Sequence, residues 1–195
     1  MLNLGVTRLN ALLLTHEHWD HTGGLSDLRS FVTQQKQAIN VYASTSVFNG
    51  LRQGYPYLFP GILHPTVTNF KLHAIQDCLF KINSLPVVPI QVYHHNLPIW
   101  GFRLGVVTYI TDAKSIAMKE IDKMRGTEVL IVNALQREPH AAHFNLREAI
   151  ALAHRVNPDV TYLTHISHRL GLHQEIAKTL PSNIYLAYDG LQVSL

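Results

Sequence analysis

Short apolar runs alternate along the chain with stretches whose apolar side chains recur every three or four positions. Residues 11–15 (ALLLT) form a continuous short run, which is typical of a buried strand. Residues 25–35 instead place Leu25, Leu28 and Phe31 on one side, which predicts a helix with one buried face. Both patterns recur toward the C-terminus. The sequence therefore predicts one α/β domain over residues 1–195, with mixed sheets and helices outside them.

Capping and turn residues indicate where several further helices and strands begin or end. A helix over 145–156 begins with Asn145 and Glu148 at capping-box spacing, and Thr45 is expected to cap a helix through residue 52. Gly105 is expected to break residues 102–111 into two strands. A final hairpin is predicted from 184–188 and 191–193, around Asp189-Gly190. Other predicted elements are strands at 41–44, 129–132 and 162–164, β-type runs within 66–93, an ordered loop at 54–65, and helices at 171–180 and ending before Gly126.

Composition narrows the class of protein. Hydrophobic residues make up 47% and charged residues 15% of the 195 residues, which provides for a core and argues against disorder. The net charge of +3 is spread along the chain without a Lys/Arg run, so we do not expect a nucleic-acid-binding module. Apolar runs are too short for a membrane span, and the start lacks a secretory signal, which favours the cytoplasm. The single cysteine, Cys78, is expected to be a buried apolar residue.

Histidine is unusually abundant and clusters directly after the first predicted strand. The chain has 13 histidines, as many as Asp and Glu together. Four side chains of ligand type lie within six residues: His16, His18, Asp20 and His21. A loop after the strand can turn all four toward one point, whereas neighbouring positions on a helix diverge. Imidazole and carboxylate donors without thiolate suit Zn²⁺, Mn²⁺ or Fe²⁺. Trp19, inside this stretch, is expected either to line a pocket or to pack in the core.

The stretch from His16 to His21 resembles the H-x-H-x-D-H signature of the metallo-β-lactamase superfamily. That resemblance implies a four-layer αββα sandwich with two divalent metal ions, zinc or manganese, at one edge. Three later positions match further ligands of the family: His94, Asp112 and His165. His95 adjoins His94, so the sequence leaves both open, although the family pattern favours His94. The resemblance implies one ion on His16, His18 and His94, a second on Asp20, His21 and His165, and Asp112 as a bridge.

Within the superfamily, the chain is most similar to the PhnP-like phosphodiesterases, with the tRNase Z branch beside them. The segments TYITDA, PHAAHFNLREA and LTHISH carry this likeness. It implies hydrolysis of a small phosphodiester, such as phosphoribosyl 1,2-cyclic phosphate, by a hydroxide shared between the two ions. Asp20 would then steer the proton of the attacking water, His143 would contact the phosphate or protonate the leaving oxygen, and His168 would help to bind the substrate. His140 is expected in a supporting or surface position.

Two alternatives and one departure from the family remain at this point. The alternatives are a tRNase Z-like nuclease and a non-catalytic, metal-binding remnant of the fold. The departure lies at the start of the chain. Family members usually have further strands before the one that corresponds to residues 11–15, whereas this sequence has only ten residues there. The first sheet is therefore expected to be incomplete, through a late gene start, a shortened form or a gap that a partner chain covers. A homodimer is also left open.

Overall fold

A computed structural model describes residues 5–59 and 70–194, which form two compact units that divide between Gln76 and Asp77. Each unit has its own sheet and its own apolar core. Residues 60–65 of the predicted loop and the start of the following β-type run lie outside the described residues. The single-domain organisation of the chain stays a prediction.

The first unit is built on a three-stranded parallel sheet in the order β1-β2-β3. Its core includes Val41, Phe48 and Leu51, all buried. The strands are β1 (Ala11–Leu13), β2 (Ile39–Ala43) and β3 (Phe70–Ala74), and the α-helices are α1 (Trp19–Thr22), α2 (Arg29–Gln35) and α3 (Thr45–Gly54). Two 3₁₀ helices, Gly23–Leu28 and Pro56–Leu58, complete the described part.

Two predictions for this unit need correction. The single helix expected over 25–35 is a 3₁₀ helix followed by α2, since the glycine pair at 23–24 weakens α-helix formation in the first turn. The cap of α3 is Ser44 rather than Thr45. Ser44 has the extended backbone that a cap requires, and its hydroxyl accepts a hydrogen bond from the N–H of Val47 at 3.2 Å.

The second unit contains a seven-stranded mixed sheet in the order β10-β9-β8-β7-β6-β5-β4. Strands β7 to β10 run parallel, and β4 to β7 pair antiparallel. The strands are β4 (Phe80–Ile82), β5 (Leu85–His94), β6 (Leu97–Leu104), β7 (Val107–Ile110), β8 (Val129–Asn133), β9 (Val160–Thr164) and β10 (Ile184–Leu186). The helices are α4 (Met118–Asp122), α5 (Leu146–Val156), α6 (His173–Ala177) and the 3₁₀ helix His168–Leu170.

Local signals predicted two features of this unit correctly. Gly105 has a φ of 59° and lies in the turn between β6 and β7, a conformation that costs glycine little. The capping box of α5 is confirmed, because the Asn145 side chain accepts from the Glu148 N–H and the Glu148 carboxylate accepts from the Asn145 N–H, both at 2.9 Å.

Two other predictions for this unit are wrong. The final hairpin does not form among the described residues: β10 pairs in parallel with β9, and Leu191 only closes a turn onto Tyr188. β10 is the edge strand of the sheet and its second edge is not paired by residues 191–193, which have no strand structure. Cys78 is exposed rather than buried, because it lies in the turn that precedes β4.

None of the helices among the described residues has the length and apolar character that crossing a membrane requires.

Candidate metal centre

The first unit gathers three imidazoles just beyond β1. His16 is buried, at 1% exposure, and its Nδ1 lies 2.9 Å from the Thr15 hydroxyl. The ring of His16 lies 4.5 Å from that of His18 and 4.4 Å from that of His21, measured between centroids. The structure thus brings together the three histidines that the sequence predicted to converge.

The backbone achieves this by changing conformation within the motif. His16 and His18 precede α1 and have no regular structure, whereas Asp20 and His21 lie on α1 itself, where a loop was expected. The turn is closed by the Thr22 hydroxyl, which donates to the His18 carbonyl at 3.0 Å. Asp20 Oδ2 lies 3.2 Å from His21 Nε2. Four ligand-type side chains can therefore be neighbours, because the helix begins in the middle of the motif.

Trp19 does not pack in the core. It is 72% exposed, and its ring lies 5.3 Å from that of Tyr55. It is the first residue of α1, between His18 and Asp20 in the sequence. The core alternative for Trp19 is wrong.

In the second unit, two candidate ligands directly follow the ends of parallel strands. Asp112 comes two residues after β7, and His165 comes directly after β9. Both have a left-handed backbone, with φ of 54° and 51°, which is costly for residues other than glycine and is common at functional sites. Asp112 is 1% exposed, and its Oδ1 accepts from the Thr111 hydroxyl at 2.9 Å and lies 3.0 Å from His165 Nε2.

His94, at the end of β5, belongs to the same group. Its Nδ1 lies 3.1 Å from the carbonyl oxygens of both Asp112 and Ala142. A carbonyl can only accept, so Nδ1 carries the proton and the lone pair is on Nε2, as a metal ligand requires. His95 is exposed in the turn after β5. The side chain that faces the group is therefore that of His94, and its role as a ligand stays a prediction.

His143 lies at the centre of this histidine group. Its ring is 4.6 Å from that of His94 and 5.0 Å from that of His165. Its Nδ1 is buried and has no hydrogen-bond partner among the residues that the structure describes. Burial lowers the pKa of His143 to about 4. Asp112 opposes this, and the neighbouring histidines reinforce it. His143 is consequently neutral near pH 7.

Of two further histidines, His168 keeps its substrate-binding role as a prediction, whereas His140 lies in one of the two positions expected of it. His168 begins a 3₁₀ helix and is exposed, and no hydrogen bond or ring contact recorded among the described residues joins it to the group around His143. His140, expected in a supporting or surface position, has its ring 5.0 Å from that of His143. The H-x-x-H spacing ahead of a capped helix is the signal by which the sequence could have shown this.

The chemistry of both donor sets fits a divalent transition metal. All donors are imidazole nitrogens or carboxylate oxygens, which are ligands of zinc and manganese. Within the second unit, one ligand-type atom from each of His94, Asp112 and His143 lies within 4.8 Å of the other two. These residues therefore have the composition and mutual spacing that a metal site needs.

Comparison with known proteins connects these residues to a family. The model of the β-lactamase superfamily domain matches residues 3–166. The chain belongs to the β-lactamase superfamily. This membership confirms the α/β, metallo-β-lactamase-like fold expected from the sequence and supports a metal-dependent hydrolase.

Individual members of the superfamily give closer comparisons. The structure is similar to that of a new diphosphatase from the PhnP family, with 30% identity and a TM-score of 0.88, covering 97% of this chain and 72% of that one. Zn²⁺-bound PqqB from Methylobacterium extorquens shares the fold, with 17% identity and a TM-score of 0.72, covering 95% of this chain and 73% of that one.

A curated protein of Porphyromonas gingivalis (strain ATCC BAA-308 / W83), named octanoyltransferase, is 36% identical over 190 residues. The match covers 96% of this chain and 38% of the relative, so the chain spans well under half of that protein's length.

Proposed function

We propose that this superfamily member is a phosphodiesterase that uses two divalent cations. The observation that carries the proposal is the pairing, in the second unit, of a buried carboxylate with imidazoles at the ends of strands of one sheet. Asp112, His165 and His94 form this set, and His16, His18, Asp20 and His21 form a set of the same chemistry in the first unit. Such sets are used by hydrolases that activate water with metals.

The proposed ligand assignment follows the family pattern. One ion would be held by His16, His18 and His94, and the other by Asp20, His21 and His165. Asp112 would bridge them, since a carboxylate can offer one oxygen to each cation. Zinc or manganese suits these donors, and a relative of the same fold binds zinc.

Bound cations at such a site lower the pKa of water and offset the charge that builds up on phosphoryl oxygens. The remaining steps fall to side chains of the protein. Asp20 is exposed, so its carboxylate can orient the attacking water or accept its proton. His143 is neutral near pH 7, and it can therefore donate one ring N–H to a phosphate oxygen. Protonation of the leaving oxygen by His143 would require bound substrate to raise the pKa of the imidazole.

A small phosphate ester is the proposed substrate, with a cyclic phosphate such as phosphoribosyl 1,2-cyclic phosphate as the specific candidate. Similarity to a diphosphatase from the PhnP family supports it. We also assign His168 to substrate binding. Its exposed imidazole lies three residues after His165 in the sequence, close to the end of β9, and can reach a bound ligand. Water, rather than a second substrate, would accept the phosphoryl group, so the reaction would be a hydrolysis.

The test is turnover by the protein loaded with Zn²⁺ or Mn²⁺. Bis(p-nitrophenyl) phosphate, a five-membered cyclic phosphate of ribose and a dinucleoside diphosphate would be compared, with metal content measured on each sample. The proposal expects cleavage of the first two substrates, and loss of turnover after dialysis against a chelator. Tight metal binding without turnover would favour the non-catalytic remnant. Cleavage of a tRNA precursor alone would favour the nuclease.

The name of the P. gingivalis relative supports a second candidate, which is action on octanoyl esters or thioesters. Water activated for attack on phosphorus can also attack an acyl carbonyl. Direct octanoyl transfer through a cysteine is less well supported, since no hydrogen bond among the described residues joins Cys78 to a base that could activate its thiol. Hydrolysis of an octanoyl thioester, measured beside the phosphodiesters, would distinguish this candidate from the first.

A further inference from the structure

The backbone N–H and the backbone carbonyl of Ala142 are each hydrogen-bonded to an imidazole ring. The N–H donates to His140 Nδ1 at 3.2 Å, and the carbonyl accepts from His94 Nδ1 at 3.1 Å. The first bond requires a lone pair on His140 Nδ1, and the second requires a proton on His94 Nδ1. Neutral His140 therefore carries its proton on Nε2, whereas His94 carries its proton on Nδ1. The two rings have opposite tautomers because they hold opposite ends of one residue.

This residue lies in an irregular segment that needs such a restraint. The segment between β8 and α5 is fastened near its ends, where Leu135 donates to the Phe144 carbonyl at 3.0 Å and Phe144 donates to the Ala113 carbonyl at 2.7 Å. Between these ties the backbone has no helix or strand. Irregular backbone keeps its conformational freedom unless local hydrogen bonds restrain it, so these bonds decide where the next side chain points. That next side chain is His143.

We propose that His140 is a positioning residue for His143. Through its acceptor nitrogen, His140 fixes the backbone N–H of Ala142, and the backbone conformation of Ala142 sets the place of the His143 ring beside His94. The adjoining His140 ring, 5.0 Å from that of His143, also limits the space into which His143 could swing. The catalytic consequence rests on the proposed function of His143, whereas the hydrogen bond and the tautomer do not.

The tautomer is tested first, on the purified protein and without any substrate. Long-range ¹H–¹⁵N NMR at pH 7.5 should show an unprotonated Nδ1 and a protonated Nε2 for His140, and the reverse for His94. The amide proton of Ala142 should exchange with solvent faster in a His140→Phe variant, which keeps a ring but loses the acceptor. A proton on His140 Nδ1, or unchanged exchange of that amide, overturns the proposal.

Kinetics test the consequence with two variants and a control. In His140→Phe, kcat for bis(p-nitrophenyl) phosphate should fall by about 10- to 100-fold, the size expected when a catalytic group shifts slightly, with KM and metal content preserved. His140→Asn places an amide oxygen near the position of Nδ1, so it should restore kcat to within about threefold of wild type. His154→Phe, an exposed histidine on α5, is the matched control.

The outcomes separate this proposal from the proposed function. Wild-type kcat in His140→Phe, or failure of His140→Asn to restore a lost kcat, overturns the positioning role. Loss of metal from His140→Phe also overturns it, because His140 would then act on metal retention. If wild-type protein cleaves no phosphodiester, the proposed function fails while the NMR result still decides the hydrogen bond.

Discussion

The side chain of Asn133 holds the backbone of Ala113 through two hydrogen bonds. Its Oδ1 accepts from the Ala113 N–H at 2.9 Å, and its Nδ2 donates to the Ala113 carbonyl at 3.1 Å. Asn133 is the fully buried last residue of β8, and Ala113 directly follows Asp112. The pair therefore fixes the backbone next to a candidate bridging ligand whose φ is positive.

Replacing Asn133 with Leu should destabilise the protein. The Ala113 N–H would remain buried without a partner, and an unsatisfied group of this kind costs about 1–3 kcal/mol. Urea denaturation followed by circular dichroism would measure the loss. Asn49→Leu, at an exposed position on α3, should change stability by less than about 0.5 kcal/mol. Equal stabilities for the two variants would argue against the structural role of Asn133.

Gly101 on β6 should not tolerate alanine. An added Cβ would lie 2.3 Å from Ile110 Cδ1 and 2.9 Å from the Tyr109 carbonyl oxygen, so the neighbouring strand would have to move. Overpacking of this kind costs about 1–3 kcal/mol. Gly54→Ala, at the end of α3 with open space around the new methyl group, should be neutral or slightly stabilising. Thermal unfolding of both variants checks the prediction, and a Tm of Gly101→Ala at or above that of wild type would refute it.

Lys123 should stabilise the protein up to alkaline pH. Burial alone would lower the pKa of Lys123, but hydrogen bonds to Asp77 and to buried Glu120 outweigh it and raise that pKa. The folded state thus holds the proton more tightly than the unfolded chain. This stabilisation is complete below the ordinary pKa of 10.5 and is lost as the pH rises through the folded pKa.

Lys123→Gln should accordingly lower the free energy of unfolding by about 1–3 kcal/mol at pH 8, because the buried Glu120 carboxylate then keeps only the more distant cation of Lys119, whose Nζ lies 3.9 Å from Glu120 Oε1. The difference from wild type should shrink above pH 10.5. Arg125→Gln breaks an exposed pair with Asp122 and should cost less than about 1 kcal/mol. A Lys123→Gln deficit that stays constant to pH 12 would contradict the assigned cause.

His18 and His143 should separate metal binding from turnover. His18→Ala should lose bound metal and turnover together, whereas His143→Ala should keep its metal and lower kcat by about 10²–10⁴-fold, as loss of an acid–base group does. Elemental analysis and kinetics on the same samples measure both effects, with His154→Ala as the control. Metal loss from His143→Ala would make it a ligand, a role that its distance from His94 and Asp112 allows.

Local sequence signals were reliable where a short segment decides its own conformation. The capping box at Asn145, the turn at Gly105 and the strand ends at Asp112 and His165 all depend on neighbours a few positions away. The same signals were less reliable where several partners compete. Only the sheet decides which strand β10 pairs with, because pairing energy comes from strands distant in sequence.

The sequence by itself determined the alternation of strands and helices, the ligand-type residues and their positions after strands, because hydrophobic period and side-chain chemistry are properties of the chain. Only the tertiary structure decided that His94 rather than His95 faces Asp112, that His140 adjoins His143, and that Trp19 is exposed. It also decided the low pKa of His143. These features depend on burial and on groups brought close by folding across long separations in sequence, and no local pattern records such contacts.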